Sequence, residues 1–412
     1  MRRVLIVGAG QSGLQLGLTL LAEGYTVTLC SARTPDEVRT GRVTSTQAMF
    51  AQALDTERAH GLNLWEDRTP PIDGFHITVS AEPGRRAFDV LAPLDSPAQS
   101  TDQRVKLAAW LELFEQRGGT VRYGEVTPAD LDPLSAAYDL TIVAAGKGDL
   151  ARTFPRDAAR SPYTAPQRGL ALAYVHGLEP DPMYPAPNVG LHAVPGLGEL
   201  VVIPALTLSG QCDILFWEAL PGGPLDRWTG PMSPSAHLAQ TLALVKEYAP
   251  WVADRCGSVE LTDARATLAG RFTPTVRHPV AELPSGRPVL GMADAVVAND
   301  PITGQGSNAA AKCAAGYLDA VLARGEEPFD RDWMERTFAT FWDRHGQPIT
   351  EWTNAMLAPL PDHVQRILGT AAGSEPVARR FANGFSDPAD YRRWLMAPDT
   401  TDAYLAEVAA RG

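Results

Sequence analysis

Hydrophobic positions open the chain as a short continuous run, Val4–Val7, the pattern of a strand buried on both faces. Gly8-Ala9-Gly10-Gln11-Ser12-Gly13 follows at once. Leu14, Leu18 and Leu21 then recur at helical spacing, and Tyr25–Cys30 is a second strand-like run. Arg104, Leu107, Trp110, Leu111 and Phe114 predict an amphipathic helix over Asp102–Arg117 with a basic residue near its start. Tyr138–Gly146 reads as a strand ending in small residues, an end that lets a nucleotide pass close to the backbone. From about 165 to 280 the character changes. Leu170–Val175, Leu200–Ile203 and Cys212–Glu218 are short apolar runs between Gly, Pro and Ser turns, with a hairpin turn expected at Ser209-Gly210-Gln211. That predicts an antiparallel sheet. Val289–Gly291 is a further strand, and alanine-rich Ala309–Leu322 a helix. Beyond Phe329 the pattern is helical, broken around Pro359–Pro361 and Gly369–Ser374. No internal repeat is present.

Strand, glycine loop, helix and second strand within about 30 residues is the context a dinucleotide fingerprint requires. Gly8 makes the tight turn, Gly10 lets a pyrophosphate approach the backbone, and Gly13 lets the helix pack on the sheet. Gln11 and Ser12 open that helix, whose N-terminus faces negative charge. The alternative is a glycine-rich turn in an ordinary βαβ unit. The acidic residue that would hold a ribose after the second strand is missing. Cys30-Ser31-Ala32-Arg33 stands there, so either adenosine is held weakly or Ser31 or Arg33 makes the contact.

Composition narrows the classes. The 412 residues suggest two to three domains at about 150 each. With 45% apolar and 20% charged residues the chain is globular rather than disordered. A net charge of −12 argues against a nucleic-acid partner. Cys30, Cys212, Cys256 and Cys313 lie far apart and read as buried thiols of a cytoplasmic protein. The eight scattered histidines give no metal site. Val4–Ala22 is uncharged behind Arg2 and Arg3. Four glycines with Gln11, Ser12, Gln15 and Thr19 interrupt it, so neither a membrane span nor a signal peptide is expected.

A wider set of motifs carries more. It comprises the Gly8–Gly13 loop, Arg104, the strand end Ala144-Ala145-Gly146, Gly291-Met292-Ala293-Asp294, and Asp300-Pro301 with Gly304-Gln305-Gly306 and Asn308. Other strings agree: Arg42-Val43 with Ser45–Met49, Ser161-Pro162 with Pro166-Gln167-Arg168, Pro195-Gly196 with Gly198-Glu199-Leu200, Trp352-Thr353-Asn354, and Phe381–Phe385. Together they resemble the glutathione-reductase-type FAD fold of the flavin monooxygenases, and more finely the oxygenase component of the styrene and indole monooxygenases.

The resemblance implies an α/β fold. A FAD-binding Rossmann domain would take residues 1–70, 100–160 and 285–328, with an inserted antiparallel β-sheet substrate domain of 71–99 and 161–284, and a helical C-terminal region of 329–412. It implies that Gly8, Gly10 and Gly13 face the pyrophosphate, that Arg42 and Arg104 approach the phosphates or ribitol, that Asp294 holds the ribitol side, and that Gln11, Ser12 and Gly146 also bind the cofactor. Pro301, Gly304, Gln305, Gly306, Ser307 and Asn308 would set a helix N-terminus under the pyrimidine end of the flavin. Reduction raises electron density there, and free N–H groups stabilise it. Other readings stand beside these: Asp294 as a helix cap, Arg104 as a surface charge, Gly304 and Gly306 as turn glycines, Pro301 as an ordinary helix start. Trp352 and Phe385 read as core.

No acid/base pair, nucleophile triad or activated cysteine is visible. An oxygenase does not need one, because a flavin hydroperoxide carries the reactive oxygen itself. The resemblance implies an epoxidation of an aryl alkene or of the indole 2,3-bond by molecular oxygen, with reduced FAD supplied by a separate NADH-dependent flavin reductase. A homodimer is left open. The competing readings are a dehydrogenase or single-component hydroxylase using NAD(P)H directly, and a flavin-binding protein without turnover. Substrate choice rests on Ser45, Gln47 and Met49, where the styrene-preferring branch usually reads Asn, Val and His. Ile72 and Ala98 also match the indole-preferring branch, whereas Phe75 stands where Ile is usual. Gln47 and Ser45 offer acceptors for a ring N–H, and Met49 an apolar wall. The other reading of Ser45 and Gln47 is contact with flavin or backbone alone.

Overall fold

The computed structural model describes residues 2–146, 148–184 and 186–411. A six-stranded sheet runs, in spatial order, Val280–Glu282, Pro288–Gly291, Leu140–Val143, Arg3–Val7, Thr26–Ser31 and Thr120–Tyr123. All neighbours are parallel except the outermost pair, Val280–Glu282 with Pro288–Gly291. Leu5 and Ile6 are fully buried, as the unbroken apolar run predicts for a strand covered on both faces. Helix Gln11–Ala22 is buried along most of its length. Gly17 lets the Phe114 ring of helix Gln103–Gln116 come against it, since a Cβ there would stand 3.0 Å from that ring.

The second sheet has nine strands and is mostly antiparallel. The long Ile72–Glu82 and Arg85–Ser100 strands form a hairpin through Pro83-Gly84, where Gly84 takes a φ of +73°. Gly198–Thr207 and Gly210–Ala219 form a second hairpin with Leu208-Ser209 at its tip, one position earlier than expected. Alternation splits this sheet into two faces. Phe75, Tyr174, Ile203, Ile214 and Phe216 turn inward, whereas Val202, Leu215 and Trp217 turn to an outer layer. Helix Pro234–Tyr248 covers that outer layer, capped by the Ser233 hydroxyl. The sequence pattern predicts only strands there, and this helix is an addition to it.

Three expectations shift. Val280–Glu282 belongs to the first sheet, ahead of the boundary expected at 285, and Ala48–Met49 pairs with the second sheet from inside segment 1–70. The C-terminal region also divides. Phe329, Trp333, Phe338 and Trp342 join the core of the first sheet, whereas Val364, Phe381, Tyr391 and Trp394 join that of the second. The two strands of chain that enter and leave the second sheet touch. The Asp157 N–H bonds to the Val276 carbonyl at 2.9 Å, and Arg156 bridges Arg277.

Candidate active site

Three parallel strands end side by side at the Gly8 loop: Pro288–Gly291, Leu140–Val143 and Arg3–Val7. Open parallel sheets bind ligands outside these carboxyl ends. Gly8 has a φ of +123°, and a Cβ there would stand 2.7 Å from the Ala144 carbonyl carbon. A Cβ on Gly13 would run into the Gly8 carbonyl oxygen, and one on Gly146 into Asp294. These three glycines serve the protein's own packing, and the last pair brings two of the expected site residues together. Gly10, Gly304 and Gly306 differ, because a Cβ on any of them would meet no atom of the described residues within 4 Å. They present open backbone.

Helices Gln11–Ala22 and Gly306–Arg324 run parallel. The Gln15 amide reaches the Ala311 carbonyl at 3.2 Å, and one stretch farther along both chains the Tyr25 hydroxyl reaches the Val321 carbonyl at 3.5 Å. Both N-termini therefore open at the same end. Neither has a side-chain cap, the N-cap residues being Gly10 and Gln305. Two sets of free N–H groups and two helix dipoles make one electropositive region. The expected FAD fits this donor set: its pyrophosphate suits the first helix and the electron-rich edge of a reduced ring the second.

The other expected ligands are placed unequally. Arg42 is exposed and carries no ion pair among the described residues, as a phosphate ligand requires. Ser31 is buried, with its hydroxyl tied to the Arg33 backbone, which leaves the exposed Arg33 as the group presented after the second strand. Arg104 departs from expectation. It is buried, donating to Asp102 at 2.9 Å and Thr207 at 3.1 Å and pairing with Asp263 at 3.0 Å. It clamps the first domain to the second sheet rather than presenting a free charge. Asn308 is also committed: its amide nitrogen donates to Ala48 and Gly304, and its oxygen accepts from the Phe50 N–H. It staples segment 48–50 to the helix start and keeps no free donor for a flavin. Gln305 donates to the Phe385 carbonyl at 3.0 Å. Pro301 opens a short turn that Asp300 caps, and Gly304 leaves it in the left-handed region at φ +62°. Ser307 is half-buried at the start of the long helix.

Among the residues expected to face substrate, Ser45 donates to the Gln47 side-chain oxygen at 2.9 Å, and the Gln47 amide nitrogen donates to the Tyr174 hydroxyl at 2.8 Å. Tyr174 returns a bond to the Ser45 carbonyl at 2.7 Å. This ring of bonds holds Gln47 at a φ of +34°, rare for a side chain of this kind. The Gln47 oxygen keeps a second lone pair. Ile72 and Ala98 face each other across the long hairpin and share a core with Phe50 and Phe75. Phe75 lies 4.4 Å from Phe385, which meets Trp352 edge-on at 4.7 Å. Trp352 and Phe385 are core, as read, packed against Phe50 and Phe75. Met49 corrects the expectation. Ala48 and Phe50 turn to the aromatic cluster, so alternation sends Met49 the other way, against Ala53, Leu54 and Ala311 with its sulfur 3.1 Å from the Lys106 Nζ.

Two groups went unread in the sequence. Lys106 and Glu57 form a fully buried ion pair, and Gln11 also donates to that Glu57 oxygen at 2.8 Å. Arg168, Glu199 and Glu218 meet on the inner face of the second sheet beside Asp300. The signal for Glu199 and Glu218 is phase: each stands in step with the inward-facing apolar positions of its strand.

A family model of the styrene monooxygenase A substrate-binding domain matches residues 146–255. Styrene monooxygenase StyA of Pseudomonas fluorescens is 30% identical over 406 residues, spanning 95% of this chain and 94% of that protein. StyA of a further Pseudomonas is 30% identical over 423 residues, spanning 99% and 98%. Among solved structures, a triple mutant of the flavin-dependent brominase Bmp2 is similar at a TM-score of 0.68 and 16% identity, over 95% of this chain and 98% of that one. The p-nitrophenol 4-monooxygenase PnpA of Pseudomonas putida gives 0.63 at 13% identity, over 94% and 99%.

Proposed function

The chain belongs to the styrene monooxygenase family, and on that premise we propose that it is the oxygenase of a two-component pair, taking reduced FAD from a separate NADH-dependent flavin reductase. Its substrate is an aromatic compound with an electron-rich carbon–carbon double bond, with the indole 2,3-bond favoured over styrene. Bound reduced FAD supplies the electrons that activate molecular oxygen, one atom passing to the double bond and the other leaving as water. The observation that carries this reading is the pair of parallel, uncapped helix N-termini opening over Gly10, Gly304 and Gly306. Gly10, Gln11, Ser12 and Arg42 hold the pyrophosphate end. Pro301, Gly304, Gly306 and Ser307 hold the ring, with Asp294 and Gly146 beside the ribitol. Gln305 and Asn308 fix the shape of that turn. Ile72, Phe75 and Ala98, backed by Phe385 and Trp352, hold the aromatic ring and exclude water.

The test uses purified protein with FAD and NADH under anaerobic conditions. The flavin is expected to stay oxidised until an unrelated flavin reductase is added. In air, the complete mixture is then expected to convert indole to indigo, by way of the epoxide, and styrene to its oxide, read by product mass. Bleaching of FAD by NADH without the reductase would overturn the reading in favour of a single-component enzyme.

Substrate preference has its own probe. The free lone pair of Gln47 gives the indole N–H an acceptor, and an N–H buried without one costs roughly 1–3 kcal/mol. Valine is a poor replacement, because a β-branched residue is strained at φ +34°. Methionine keeps the length and loses the acceptor. Gln47→Met is expected to lower kcat/KM for indole about tenfold or more, and that for styrene much less. Equal losses on both substrates would remove Gln47 from the specificity argument.

A further inference from the structure

Three buried carboxylates, Glu199, Glu218 and Asp300 at the head of the Pro301 turn, share the field of one guanidinium, which contacts Glu199. Glu199 and Glu218 are register partners on adjacent antiparallel strands. Glu199 is in phase with Val201 and Ile203, and Glu218 with Ile214 and Phe216, so both point to the inner face of the sheet. Arg168, just before the neighbouring strand, donates to Glu199 at 2.7 Å. Glu218 is 1% exposed and its Oε1 has no hydrogen-bond partner among the described residues. Asp300 is 2% exposed, with one oxygen accepting from the Ile302 N–H at 3.2 Å. The titratable groups that act on one another here are Arg168, Glu199, Glu218, Asp300 and the Tyr163 phenol, whose hydroxyl donates to the Asn354 carbonyl.

Three ionised carboxylates against one guanidinium would leave a buried excess of negative charge, which a low-dielectric interior does not hold. Like charges directly opposite on paired strands add to that cost. The orphan oxygen of Glu218 is the place where the imbalance is visible, because an acceptor-only carboxylate there has nothing to accept from. We propose that Glu218, with Glu199 and Asp300, is a buried proton-holding site that takes up a proton when negative charge arrives at the Pro301–Gly306 turn, a role that rests on the FAD reading. The step is a simple protonation. A solvent proton joins a carboxylate oxygen to give a neutral carboxyl group, no electron moves, and no bond of the flavin changes. Burial, and then the neighbouring carboxylates, push Glu218 well above the usual carboxylate range, and burial pushes Asp300 up to about 6.

The sign of the linkage makes the site measurable without flavin. A carboxyl whose folded pKa is raised stabilises the fold fully only below its unfolded pKa, and that stability is lost as pH rises through the folded value. The melting temperature of the flavin-free protein is therefore expected to fall from pH 5 to pH 8 by clearly more in wild type than in Glu218→Gln. Asp300→Asn serves as the second variant should Glu218→Gln fail to fold. Calorimetry of reduced FAD binding, anaerobically and in two buffers of different protonation enthalpy, reads the proton directly. Wild type is expected to take up a measurable fraction of a proton, a whole proton being equivalent to a tenfold change in affinity per pH unit, and the variant much less. Reduced FAD that fails to bind wild type would overturn both the flavin reading and this one. Binding with equal proton uptake in both proteins, together with parallel melting profiles, would overturn this one alone.

Discussion

Gly10→Val is expected to lose FAD while the fold stays intact. Gly10 has φ −88° and ψ −173°, an extended conformation that valine adopts without strain. A Cβ there touches no atom of the described residues within 4 Å. The new methyls therefore project into the region over the helix N-terminus where a pyrophosphate must come close to the backbone. A loss of at least about 100-fold in affinity, roughly 2.7 kcal/mol, is expected from flavin fluorescence titration. The melting temperature without flavin should stay near that of wild type. Gly8→Ala is the contrast, since its φ of +123° and the Ala144 backbone 2.7 Å away make that change an injury to the fold. Normal FAD affinity in Gly10→Val would overturn the assignment of this loop.

Lys106→Met is expected to be the more damaging change to stability. Lys106 is 4% exposed and Glu57 is fully buried, so the ammonium is the charge that compensates this carboxylate. Burial already pulls the Lys106 pKa below its ordinary value. Removing one partner leaves an uncompensated buried charge, a loss of about 3–5 kcal/mol. Removing both charges, as Lys106→Met with Glu57→Gln, should recover most of it. Urea unfolding of the two single variants and the double variant checks this. A loss below about 1 kcal/mol in Lys106→Met would mean that water or another group shares the charge of Glu57.

The parts of the molecule that the sequence made legible are those built from near neighbours. Val4–Val7, the glycine loop and the following helix are contiguous, so their periodicity and turn chemistry specify them without help. The same holds for Asp300-Pro301 and the helix that follows. What stayed hidden depends on contacts distant in the chain. Arg104 sits on the buried stripe with Leu107, Trp110 and Phe114, yet Thr207 and Asp263 decide what it bonds. Met49 lies in a two-residue strand, too short for alternation to show which side faces which domain. Glu199 and Glu218 are far apart in sequence and become neighbours only through the hairpin register. Helix Pro234–Tyr248 was legible in principle from Ser233, Pro234 and the spacing of Leu238, Leu242 and Val245, but it lay within a run read as strands.

The contact between Arg156-Asp157 and Val276-Arg277 bears on how such a chain is made. The Leu140–Val143 strand waits for Pro288–Gly291 before its outer edge is covered. At ribosomal rates of about 5–20 residues per second, the wait lasts on the order of ten seconds or more. Throughout it, a bare apolar edge invites pairing with a neighbouring nascent chain. Closing so long a loop from a disordered state would cost on the order of 4 kcal/mol in chain entropy. The inserted sheet shortens that search. Once its own hairpins have formed, its first and last residues are held together, and the missing strand emerges already beside the edge it must join.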